Sequence, residues 1–397
     1  MKVLIIHNWY GSSAPSGENE VVKAEINLLR INNVKVIEYF KFSDSIINLG
    51  LLGKIIGGFS TIFNPVSYFK VKKLILKELP DVVHIHNFFP LISSSVIYAV
   101  ASTNTPLVMT LHNYRIVCGA GLPFRDSKIC TKCINSHSPL SLLIYRCYRN
   151  SLFASIPLAI MIYVNGSLKT WKNKVDNFIV FTEFQKKILV NSDIINLSQV
   201  KIKPQFLINP PSLIPVSERN IDAIFIGRIT VEKGVEILLD AWRKWGVSAP
   251  LLTIVGSGPD EIALKRKFKD CNVNWVGKLC HDEVILKLRN SKLMIIPSIA
   301  FEGFPMVIRE ALACGVPILS SSVLPLPEIV KKNFGDIFFE NTSDSLLSCA
   351  KNLLALPPID LEMKSIAARE EFNNKYTSEI NFNILMGIYK DSISKKS

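Results

Sequence analysis

Two glutamates, Glu302 and Glu310, frame the stretch FEGFPMVIREALACGVPILS that runs from Phe301 to Ser320. Pro297-Ser298 and Glu302-Gly303-Phe304-Pro305 have the chemistry of turns. The run Met306–Cys314 reads as a helix, which Gly315-Val316-Pro317 stops. Glu302 therefore falls in a loop at a helix N-terminus, and Glu310 about two turns further on. Such a terminus offers unpaired backbone N–H groups and the positive end of the helix dipole, a seat for phosphate. Pro305 has no N–H, so Phe304, Met306 and Val307 are the candidate donors. A carboxylate on each side of that seat could grip sugar hydroxyls, although a loop and helix of any α/β protein can carry two glutamates.

Further candidates lie upstream. Arg228 and Lys233, in AIFIGRITVEKGV from Ala223, sit around a strand–loop–helix junction where two cations can converge on a diphosphate. His84, His86 and Asn87 close the run VVHIHN, and His112 and Asn113 follow the run LVMTL. Ligands of open α/β sheets sit outside the carboxyl ends of strands, so both clusters face a candidate site. Any single histidine is more often structural. Cys118, Cys130, Cys133 and Cys147 have the spacing C-x11-C-x2-C-x13-C, with one CxxC half-site. In a reducing cytosol such thiols suit a closed structural zinc site better than disulfides, and incidental free thiols are the alternative.

Short apolar runs alternate with helical patterns along the whole chain. Lys2–His7, Val34–Phe40, Val82–His86, Leu107–Leu111 and Phe178–Thr182 read as buried parallel strands. Ala223–Ile226, Leu251–Val255, Val273–Val276, Leu293–Pro297, Val316–Ser320 and Asp336–Phe339 repeat the pattern. Two doubly wound α/β domains follow, with a boundary at Asn209-Pro210-Pro211-Ser212. The glycine-bounded loop from Gly11 to Gly17 feeds a helix opening at Glu18, an arrangement that can approach a phosphate but fits neither a P-loop nor GxGxxG.

The wording EGFP…EALACGVP, with GR-x4-KG upstream, resembles the signature of retaining GT-B glycosyltransferases of family four, the glycosyltransferase group 1 type used in surface polysaccharide assembly. The resemblance implies two Rossmann-like domains facing each other across a cleft. They would be residues 1–210 on the acceptor side, with a Cys-rich insertion at about 118–147, and residues 211–375, which bind the nucleotide sugar. Residues 376–397 would form a helix returning to the first domain. It implies that Glu302 contacts the donor sugar, that Glu310 binds the ribose, and that Arg228 and Lys233 stabilise the leaving nucleoside diphosphate. Gly17, Gly227, Gly256, Gly258, Gly303, Phe304, Met306 and Val307 would line the donor. His112 matches the family's cleft histidine, and His86, Asn87 and Asn113 fall on the acceptor side. By resemblance the mechanism is front-face substitution with no bound metal, and the acceptor a glycan or lipid-linked glycan. A GT-B epimerase or phosphorylase, or a zinc-containing basic nucleic-acid module, are the alternatives.

Composition narrows the classes. The chain has 397 residues, 48% hydrophobic and 20% charged, which suits two globular domains and excludes a disordered chain. Residues 1–210 hold 23 Lys and Arg against 11 Asp and Glu, whereas residues 211–397 hold 23 against 22. The basic half points to an anionic partner. Nucleic acid would call for aromatics interleaved with the cations, and Pro123–Arg149 offers only Phe124, Tyr145 and Tyr148. Apolar segments 46–63 and 152–164 have few charges and basic neighbours, as interfacial anchors do, although core helices look alike. The N-terminus reads as a short strand, not a signal peptide. The expected location is cytoplasmic, peripheral on the inner face of the plasma membrane.

Overall fold

A computed structural model describes residues 1–11, 17–47, 53, 57–58 and 60–396. The loop residues between Gly11 and Gly17 and half of the apolar segment 46–63 lie outside the described residues. The chain divides into two compact units: Met1–Pro123 with Thr131–Pro204 and Asn381–Ser397, and Phe124–Cys130 with Gln205–Ile380. The expected boundary at residue 210 thus lies inside the second unit, and a short piece of the Cys-rich insertion groups with that unit.

The first unit is built on β1 (Lys2–Trp9), β2 (Lys35–Phe42), β3 (Val82–Asn87) and β4 (Leu107–Thr110). Beyond the hairpin β5 (Phe124–Arg125) and β6 (Lys128–Ile129), which belongs to the second unit, come β7 (Asn177–Val180) and β8 (Val200–Ile202). The sheet order is β2-β1-β3-β4-β7-β8, all parallel. Its central strands are buried on both faces, which is why they read as continuous apolar runs. Val3, Leu4, Ile5 and Ile6 are fully buried, each contributing roughly 1.5–3 kcal/mol of hydrophobic stabilisation. The helix Gly17–Ile31 carries Glu18 and Glu20 in its first turn and Arg30 in its last, complementing its dipole. Its apolar stripe joins β1 and β3 in one core, together with Leu385, Ile388 and Tyr389 of the final helix Ser378–Ser394. Helix Leu152–Ser167 is capped by Ser151 and leaves Phe153 and Tyr163 largely exposed. No helix among the described residues is long and apolar enough to cross a membrane.

The second unit contains β9 (Ile221–Ile226), β10 (Leu252–Val255), β11 (Val273–Gly277), β12 (Ser291–Ile296), β13 (Ile318–Ser321) and β14 (Gly335–Phe338). Their order, β11-β10-β9-β12-β13-β14, is that of a doubly wound sheet whose direction of winding reverses between β9 and β12. Apolar cores cover both faces. One is formed with helices Met306–Ala313 and Pro358–Lys375, the other with Val235–Trp245 and Ser343–Leu354.

Candidate functional site

In the second unit the winding reversal brings the ends of β9 and β12 side by side, and the predicted residues follow each strand. Beyond β9 the chain makes a single 3-10 turn, Val231–Lys233, closed by Gly234 at φ 68°. A Cβ at Gly234 would collide with the carbonyl oxygen of Pro297, just beyond β12. That close approach places Lys233 against the loop carrying Glu302. Lys233 Nζ donates to Glu302 Oε1 at 2.6 Å, and Ser298 Oγ donates to the same oxygen at 2.7 Å. The cation and the carboxylate, distant in sequence, thus form one site. Gly256, at φ 134°, allows the loop after β10 to touch Gly227, where a Cβ would strike the Gly227 carbonyl. Backbone bonds from Gly227 to Val255 and from Gly256 to Gly277 tie the ends of β9, β10 and β11 together.

The helix Met306–Ala313 opens at Pro305 without a side-chain cap, so its N-terminal N–H groups have no side-chain oxygen from that position. Glu310 is buried on it, with Oε1 3.3 Å from His281 Nε2 and 3.8 Å from Arg309 Nη2. Donating a hydrogen bond to the Glu310 carboxylate raises the His281 pKa above its ordinary value, against the desolvation that lowers it. His281 was missed by the sequence reading. Its one local signal is the helix start at Cys280, where the Glu283 carboxylate accepts from the Cys280 N–H. Arg228 does not join Lys233 and Glu302: its side chain is 72% exposed, and Nη2 lies 3.5 Å from Glu232 Oε1. The Phe304 ring lies 5.6 Å from that of Tyr376, tilted by 48°, and Gly303 and Val307 are half-buried nearby in sequence.

In the first unit, the ends of β3 and β4 enclose a pocket lined by His86, Asn87, Phe89, His112, Asn113 and Arg115. His86 Nδ1 lies 3.1 Å from His112 Nε2. The Asn87 amide is used internally, donating to the Asn8 carbonyl and accepting from the Phe89 N–H, and Asn113 Oδ1 accepts from the Arg115 N–H. The Arg115 guanidinium lies 4.4 Å above the Phe89 ring and 5.6 Å from that of Tyr148. Gly17 is exposed at the start of its helix. Burial pushes the Glu18 carboxyl beside it up to about 8, against the pull of Arg115 and of the Tyr10 hydroxyl.

Behind the pocket lies a polar network that the sequence reading missed. Glu25, 1% exposed, receives Lys203 Nζ at 2.8 Å and faces His84 and His86. A carboxylate on the apolar stripe of a helix, between Val22 and Ile26 and Leu29, was the available signal. The Glu25, His84 and His86 ligand atoms lie within 4.8 Å of one another. Burial pushes the Cys118 thiol up to about 12. Among the described residues, the three sulfurs of Cys118, Cys133 and Cys147 are not all within 4.8 Å of one another. A tetrahedral thiolate site would hold them about 4 Å apart.

With this geometry in view, comparison with known proteins decides the family of the second unit. The family model of glycosyl transferases group 1 matches residues 214–370. Residues 214–370 are a glycosyltransferase group 1 domain. The amylovoran biosynthesis glycosyltransferase AmsK of Erwinia amylovora is 26% identical over 175 residues, 41% of this chain and 43% of that protein. The matched stretches span about half the length of the curated relatives. The sucrose-phosphate synthase of Thermosynechococcus elongatus has a TM-score of 0.70 at 15% identity, covering 99% of both chains. Anabaena HepE, solved in complex with UDP-glucose, has a TM-score of 0.64 at 15% identity, covering 98% of this chain and all of that one. The fold is GT-B, with two Rossmann-like parallel-sheet domains.

Proposed function

We propose that the chain is a retaining glycosyltransferase that moves a sugar from a nucleoside-diphosphate donor to a hydroxyl of a glycan or lipid-linked glycan, in surface polysaccharide assembly. The observation that carries this is the Lys233–Glu302 pair, held at the winding reversal of a glycosyltransferase group 1 domain. In this reading Glu302 meets the donor sugar and Glu310 the ribose. Lys233 and Arg228 meet the negative charge that grows on the departing diphosphate. Fixed cations aimed at developing charge stabilise the transition state more than the ground state. The leaving phosphate takes the acceptor proton, so no side chain serves as a covalent nucleophile. UDP-glucose in HepE and the amylovoran role of AmsK support the substrate classes.

Saturation-transfer NMR against UDP-, GDP- and dTDP-sugars tests the donor site. One of them binds the wild type and is lost in Glu310→Ala; a folded protein that binds none overturns the reading. We further propose that helix Leu152–Ser167, with Phe153 and Tyr163 exposed and Lys169, Lys172 and Lys174 just beyond it, docks on an anionic membrane surface. Flotation with phosphatidylglycerol vesicles and none with phosphatidylcholine is expected; equal recovery with both refutes it. A structural zinc on Cys118, Cys130, Cys133 and Cys147, held by four thiolates, is a further proposal. Metal analysis of protein purified without chelator decides it, and less than a trace of zinc removes the idea.

A further inference from the structure

Four of the six histidines, His7, His84, His86 and His112, gather in the first unit around one buried carboxylate, Glu25. A metal ion is the first use such a set suggests. Its surroundings argue against one. Lys203 Nζ already lies 2.8 Å from Glu25 Oε2, so a dication would face an ammonium across the same carboxylate. His84 is occupied at both nitrogens, by the Tyr389 hydroxyl at 2.8 Å and by Thr110 Oγ1 at 2.8 Å. Asn381 Oδ1 holds Lys203 from the other side at 3.0 Å. The cluster is already closed by protein groups.

One line of contacts leads out of it to the pocket. His86 Nε2 lies 3.1 Å from Glu25 Oε1, and His86 Nδ1 lies 3.1 Å from His112 Nε2. We propose that Glu25, acting through His86, fixes the tautomer of His112, so that His112 presents an unprotonated Nδ1 as an acceptor for a sugar hydroxyl. The steps follow from which atoms can face one another. A ring nitrogen 3.1 Å from a carboxylate oxygen must carry its hydrogen, because two lone pairs at that distance repel. The contact is off-line, an electrostatic one more than an aligned hydrogen bond, but the preference for N–H over a lone pair is the same. A neutral imidazole has one N–H, so His86 Nδ1 is left as an acceptor. His112 Nε2 must then donate to it, which leaves Nδ1 of His112 with the lone pair. Both rings are neutral near pH 7, since burial and the neighbouring histidines lower both pKa values. Lys203 completes the device by keeping Glu25 ionised, its ammonium 2.8 Å from the carboxylate opposing the burial that favours the neutral acid.

Glu25 and His86 are thus positioning residues, and His112 is the group that meets substrate. The orienting logic is that of a carboxylate fixing a histidine tautomer, here passed through a second ring. The assignment of His112 to a sugar hydroxyl rests on the transferase reading; the tautomer does not.

Histidine-selective 15N labelling of the full chain reads the tautomer directly. In the wild type, His112 is expected to be protonated at Nε2 and bare at Nδ1. The double variant Glu25→Met/Lys203→Met removes the charge pair together and avoids stranding either ion. There His112 is expected to populate the Nδ1-protonated form. Release of nucleoside diphosphate from UDP-glucose, GDP-mannose and dTDP-glucose is followed in parallel. The rate constant on whichever serves should fall by about tenfold with little change in KM, as for loss of an outer-shell partner. Protonation of wild-type His112 at Nδ1 overturns the proposal, and this needs no variant. So does a folded double variant with an unchanged tautomer, or one whose tautomer shifts while turnover stays the same. If wild-type protein releases nothing from any donor, the transferase reading fails, while the spectrum still decides the tautomer.

Discussion

Replacing Lys203 with methionine strands the Glu25 carboxylate in the interior of the first unit. The two side chains are 2% and 1% exposed and their charged atoms are 2.8 Å apart, so neither ion has water to fall back on. Breaking a buried pair from one side costs about 3–5 kcal/mol, because the remaining charge keeps its desolvation penalty without its partner. The low end is expected here, since His84 and His86 still face the carboxylate at 3.2 and 3.1 Å. Glu25→Met should cost less than Lys203→Met, because Lys203 keeps the Asn381 carbonyl as a partner. The double variant, with apolar side chains of similar volume, should return to within about 1 kcal/mol of wild type. Urea unfolding at pH 7, followed through the buried Trp171 of the same unit, measures the cycle. A loss below about 1 kcal/mol for Lys203→Met, or single losses that simply add, would refute the reasoning.

Gly234→Ala should lower stability by roughly 1–3 kcal/mol and slow turnover, since the left-handed backbone is strained and the new Cβ meets Pro297, beside the loop that holds Glu302; thermal melting and steady-state kinetics check both. Glu310→Ala should weaken donor binding by about 10- to 100-fold, the worth of one charged hydrogen bond, and Arg228→Ala should mainly reduce turnover; calorimetry and rate measurements separate the two. Glu18 ionises near 4.5 when unfolded and near 8 in the folded chain. Between those values unfolding releases a proton, so this group lowers stability as pH rises from 4.5 towards 8. Glu18→Gln should therefore stabilise the protein at pH 8 relative to wild type, with little effect near pH 4.5, as read by urea melts across pH.

The strands of both sheets were legible because parallel strands are buried on two faces and show as apolar runs, as in Val82–His86 and Leu293–Pro297. β8 was not: its three residues alternate with lysine and stop at Pro204, too short a run to stand out. Glu302 and Glu310 could be read because one loop and one helix carry both. Lys233 and Glu302 each stood in a readable motif, but their contact at 2.6 Å comes from a glycine that lets β9 and β12 loops touch. The partners of Glu310 and Glu25 were illegible for a different reason. His281 lies 29 residues from Glu310 and belongs to another helix, and Lys203 is 178 positions from Glu25, so only packing joins them. Arg228 shows the reverse case, a motif residue that the folded chain leaves turned to solvent beside Glu232.

Leu385, Ile388 and Tyr389 fill the same core as Val3, Ile5 and Val22, and the Tyr389 hydroxyl bonds His84. A ribosome emits this chain from the other end. The first unit is therefore synthesised almost whole but leaves an apolar face open until the final helix has cleared the exit tunnel, whereas the sheet of the second unit can close earlier. In the cell the N-terminal domain would be the later of the two to mature, and it is the one that would need a chaperone's cover until helix Ser378–Ser394 has emerged.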